Sequence, residues 1–116
     1  MENAASLNFS PPAEYATWWR EVEDCLGIEA SIERVRWQES GEYDFPCVTG
    51  RCAGAWFPDH RIVLARAWKR DPLVVRNEMI HDILRVSGHP SPPFGGACPS
   101  EKGATSASAL AALTSV

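Results

Sequence analysis

Four cysteines, at positions 25, 47, 52 and 98 of a 116-residue chain, constrain its folding more than any other feature. A domain this short buries only a modest core, and cross-links commonly supplement it. Cys47 and Cys52 flank VTGR, which can turn on Gly50, so a local bridge between them is expected. That leaves Cys25 to pair with Cys98 and tie an early segment to a late one. A four-cysteine zinc site usually presents two tight pairs, and only one tight pair exists here. Four free thiols in a reducing compartment are the remaining alternative. Bridged cysteines imply an extracytoplasmic or secreted protein. The first residues, MENAASLNFS, lack the basic start and apolar run of a signal peptide, so that location takes the chain as a mature form; a cytoplasmic chain is the rival.

The net charge of −4, with Lys and Arg scattered, gives no electrostatic footprint for nucleic acid. No apolar run approaches the roughly 18–20 residues of a membrane helix. One domain is expected over 10–99, between a flexible leader at 1–9 and a low-complexity, disordered tail at 100–116. A monomer is expected.

Within the domain, SPPAEYATWWREVEDCLG reads as a helix capped by Ser10, with Pro11 and Pro12 in its first turn and Gly27 closing it. Tyr15, Trp18, Trp19, Val22, Cys25 and Leu26 fall on one face, which makes the tryptophan pair core material rather than a ligand platform. SIERVRWQES alternates as a strand, residues 41–52 read as an exposed loop, and AGAWF and RIVLARAW read as a hairpin turned by PDH. Asp71-Pro72 opens a second helix, which should run to about Val86 and stop at Ser87-Gly88, with Leu73, Ile80, Ile83 and Leu84 facing the core. The sum is an α+β domain with two main helices and a short, twisted, mainly antiparallel sheet.

The chemistry lies on the second helix. Asn77 and His81, one turn apart, project from one face, and Glu78 stands about 100° further round. Two ligands at i and i+4 close on one ion without distorting the backbone, and a glutamate beside them can take a proton from water. Glu78 and His81 suit those roles. Asn77 does not, since an amide oxygen is a weak neutral ligand beside an imidazole. On a continued helix His89 would lie about 12 Å beyond His81, out of range of a shared ion. A stop at Ser87-Gly88 lets the chain fold back and bring it round, stiffened by Pro90, Pro92 and Pro93. His60 reads as a solvated turn residue, and Asp82 as a residue off the ligand face that can accept a hydrogen bond behind it.

VVRNEMIHDIL, followed by GHP and by PPF at 92–94, resembles the core of small secreted bacterial zinc metallopeptidases of the zincin type, which reads V-V-R-H-E-M-x-H-D-x-L. The likeness extends more weakly to YATWWREVEDCLG, RCAGAW and Cys98, covering roughly 15–98. It implies a zincin-like fold and a hydrolase cleaving peptide or protein substrates through a metal-activated water. It implies Glu78 as general base, His81 and His89 as zinc ligands, and Asn77 in the first ligand's position, where it breaks the pattern. In zincins a sheet edge beside this helix holds the substrate extended, a part that falls here to RIVLARAW. The activity is therefore expected to be weakened or lost through Asn77. The alternative is a non-catalytic secreted domain that keeps the groove and binds peptides or proteins.

Overall fold

The computed structural model describes residues 6–89 and Cys98. Helix α1 spans Glu14–Leu26 and helix α2 spans Pro72–Leu84. Strands β1 (Leu7–Asn8), β2 (Arg36–Glu39), β6 (Arg61–Leu64) and β5 (Gly54–Phe57) form one sheet in that spatial order. The β1/β2 and β5/β6 pairs are antiparallel and β2/β6 is parallel. A second, two-stranded sheet pairs β3 (Phe45–Cys47) with β4 (Gly50–Cys52). The architecture is the small α+β domain with two helices and a mostly antiparallel sheet that the patterning implies.

Both helices differ from expectation at one end. Helix α1 begins at Glu14 with Ala13 as its cap residue, not at Ser10. A residue preceding proline is pushed out of the helical region, so Ser10 and Pro11 stay outside the helix and the first turn closes when Tyr15 N–H donates to the Pro12 carbonyl. Gly27 ends it as anticipated, at φ 71°. Helix α2 starts as expected, with Asp71 Oδ1 accepting from Leu73 and Val74 N–H at 2.9 and 3.1 Å. It ends early, because Arg85 takes the left-handed conformation at φ 63°. Arg85 N–H donates to the His81 carbonyl at 2.8 Å, and its guanidinium donates to the Pro58 carbonyl at 2.8 Å. These bonds oppose the roughly 1–2 kcal/mol that a side chain costs in that conformation.

The loop expected over 41–52 holds the β3/β4 hairpin, tied by Cys47–Cys52; Cys25–Cys98 is also bridged, with Cα atoms 5.5 Å apart. Leu7 and Asn8, in the stretch read as leader, pair with Glu39 and Gln38. The prolines at 90, 92 and 93, the PPF run and the 100–116 tail lie outside the described residues.

The core packs Tyr15, Trp19 and Val22 of α1 against Trp37, Trp56, Ile62 and Leu64 of the sheet and Val74, Val75, Met79, Ile80 and Ile83 of α2. Trp18 joins this cluster partly buried. Helix α2 is thus enclosed on more than one side, by α1 and by β5, and its polar residues Asn77, Glu78, His81 and Asp82 are buried too.

Candidate metal and proton-transfer site

The early turn at Arg85 brings His89 back onto α2. Its ring lies edge-on to His81, centroids 4.9 Å apart, within the span one ion bridges with bonds of about 2 Å. His81 Nδ1 faces the Val86 carbonyl at 2.8 Å. A carbonyl accepts only from N–H, so the proton sits on Nδ1 and the lone pair on Nε2, the arrangement seen in metal-ligating histidines. Trp56 of β5 stacks on the other side of the ring, 5.9 Å away at 16°.

Asn77 precedes His81 by one turn and Glu78 lies against β5. The approach of Glu78 depends on Gly54: a Cβ there would sit 3.2 Å from Glu78 Oε2 and 3.3 Å from its Cγ. An isolated glycine within a strand pattern often marks such close approach, and that signal was present in RCAGAW. Asn77, Glu78 and His81 are all fully buried, while His89 is half-exposed. Among the described residues, therefore, no solvent-open groove exposes Glu78 and His81. The expected substrate strand also changes. RIVL forms β6, which lies inside the sheet between β2 and β5, so the sheet edge beside α2 is β5.

Asp82 organises the back of the site. Its buried carboxylate accepts from Trp56 Nε1 at 2.8 Å and Arg34 Nε at 2.9 Å, with His60 Nδ1 at 2.9 Å and Arg85 NH1 at 3.7 Å. Arg34 also donates to the Asp82 carbonyl at 2.8 Å. Asp82 thus holds the indole that stacks on His81. His60 is a partly exposed turn residue; it adopts φ 68° in the β5/β6 turn and aims its ring at Asp82. The turn itself, Pro58-Asp59-His60 with a left-handed third residue, is a common three-residue hairpin form that normally carries glycine there. Nothing in the sequence links residues 34, 56, 60 and 82, so this convergence was not legible there.

Burial pushes the His81 imidazole down from 6.5 to about 4; the Val86 carbonyl opposes the change and His89 adds to it. A base whose folded pKa lies below its unfolded value binds fewer protons when folded, so stability rises with pH between the two values. The contribution of neutral His81 is complete above pH 6.5 and disappears as pH falls to about 4, a loss of about 3 kcal/mol. Urea unfolding of metal-free protein across that range should show the slope in the wild type and a flatter one in His81→Gln. Equal slopes would contradict it.

The donor set can be tested against zinc directly. Two neighbouring imidazoles, one with its tautomer fixed, suit a borderline-soft divalent ion. The third position holds a neutral amide, and among the described residues no group of three or more His, Cys, Asp or Glu gathers as a metal site. Two of the three positions fit and the third does not, so no catalytic step is assigned to an ion here. No family model, curated protein or solved structure matches the chain.

Proposed function

We propose that this chain is a zincin-like, peptidase-type domain whose hydrolytic site is retained in outline and weakened by Asn77. In this proposal Glu78 is the proton acceptor and donor, His81 and His89 are the metal-binding imidazoles, and peptide or protein is the substrate. The observation that carries it is the juxtaposition of the two imidazoles, with the His81 tautomer already set, on the helix that bears Glu78. Zinc, when bound, would supply Lewis acidity and polarise the substrate carbonyl. The protein's own part is to orient His81 through Val86 and Trp56, to hold Glu78 against Gly54, and to keep the site dry. An extended peptide would lie along the β5 edge. Two disulfides support an extracytoplasmic setting. The protein acts there as a monomer.

The second reading is a non-catalytic domain that binds peptides or proteins, and the full burial of Glu78 and His81 favours it. Asn77→His with and without Glu78→Gln separates the two. In the hydrolytic reading Asn77→His cleaves an unstructured protein such as casein faster than the wild type, and adding Glu78→Gln removes the gain while zinc content persists. The two functions belong to different residues, so they separate. A zinc-loaded Asn77→His protein no faster than the double variant would leave the binding domain as the function.

A further inference from the structure

The sheet face turned away from α2 carries a cleft of about 280 Å³. Strand alternation puts Ala55 and Phe57 of β5, with Arg61 and Val63 of β6, on this face, while Trp56, Ile62 and Leu64 enter the main core. The β3/β4 hairpin arches over the same face and contributes Phe45 and Cys47, so a small second apolar cluster forms around Phe45, Cys52, Ala55 and Val63. The depths of the cleft are buried, at Ala55, Val63 and Phe45, and Val48 at its mouth is 79% exposed.

Among the described residues one cation lines this mostly apolar space, beside Ser6 and Ser40. The Arg61 guanidinium lies 4.0 Å over the Phe57 ring, and the Arg61 side chain is 19% exposed. Its nearest carboxylate, Asp59, stands 3.9 Å away and is already bonded by Arg36 at 2.7 Å. Arg61 is therefore a partly desolvated charge whose ion pair with Asp59 is long and shared with Arg36, and a carboxylate ligand would add shorter charge-assisted hydrogen bonds. The volume lies at the small end of ligand sites, enough for one aromatic or branched group and too little for a lipid chain.

We propose that this cleft binds an apolar group bearing a carboxylate, with Arg61 pairing the anion and Phe45, Ala55, Phe57 and Val63 enclosing the apolar part. The group can come from a free aromatic acid or from the C-terminal residue of a peptide. The proposal does not depend on the metal site, which lies across the sheet.

Backbone amide NMR titration tests it with 3-phenylpropionate, 3-phenylpropionamide, and Gly-Gly-Phe with a free or amidated C-terminus. The acids should shift Ala55, Phe57 and Val63 at concentrations up to about 10 mM and bind at least roughly fivefold more tightly than their amides. Arg61→Gln should abolish that preference, and Arg61→Lys should restore part of it. In the unaltered protein the preference should shrink as salt rises, a check independent of how the variants fold. Tighter binding of the free-acid peptide identifies a peptide terminus as the source; tighter binding of phenylpropionate identifies the free acid. Equal binding of acids and amides, or no shift at those residues, overturns the proposal.

Discussion

Replacing Cys25 and Cys98 together by alanine is expected to lower stability by about 4 kcal/mol. The bridge spans 73 residues, and closing a loop of that length removes about this much chain entropy from the unfolded state. The Cys47–Cys52 bridge spans 5 residues, for which the same relation gives only about 2 kcal/mol. Cys98 is fully buried among the core side chains, so its alanine variant also leaves a small void. Against a typical total of about 5–15 kcal/mol, the long bridge decides whether the domain stays folded. Guanidinium unfolding of the two double-alanine variants should rank the long bridge well above the short one. Equal losses would contradict the ranking.

The second large effect is expected at Asp82. Asp82→Ala should cost about 3–5 kcal/mol, the usual penalty for removing one partner of a buried ionic network. The loss is large because the carboxylate joins separate segments: Arg34 before β2, Trp56 in β5 and His60 in the turn after it. Without Asp82 the Trp56 Nε1–H loses its acceptor inside the core, and the left-handed His60 loses the carboxylate that its ring faces. Trp56→Phe removes one of these bonds and should cost far less. His60→Gly loses a bond but relaxes the turn, so the two contributions offset. Urea midpoints for the three variants check the order. A loss below about 1 kcal/mol for Asp82→Ala, with an unchanged denaturant slope, would mean the contacts do not act as a network.

Local signals carried much of the fold into the sequence. The Asp71-Pro72 start, Gly27 and the PDH turn each depend on a few adjacent residues, and each element formed where those residues put it. Arg85 shows the limit. Ser87-Gly88 offered a cheaper stop by backbone preference, but contacts with Pro58 across the fold drew the turn three residues earlier. The polar residues of α2 show the same limit. Asn77, Glu78, His81 and Asp82 are all buried, and the partners of Asp82 and His81 are Arg34, Trp56 and Val86, which only the tertiary structure brings near. Helical spacing placed Glu78 and His81 on the same helix as Asn77, and a fold-back was expected for His89. The role of β5, rather than β6, as the sheet edge is set by strand order, which periodicity does not encode.

In the proposed function, α2 keeps the shape of a metal site with Asn77 at the first ligand's position. Asn77 is buried one turn before His81, and a histidine there would complete a three-imidazole set with His81 and His89. The larger ring costs about 1–3 kcal/mol of fit in the metal-free protein, so Asn77→His should be less stable without zinc and regain stability with it. Calorimetric zinc titration of Asn77→His beside the wild type is the direct measurement. At least a tenfold rise in affinity, about 1.4 kcal/mol, is expected at one ion per chain, and its loss when His81 or His89 is replaced by alanine. Unchanged zinc affinity in a folded Asn77→His protein would contradict it and show that the helix was never organised around a metal.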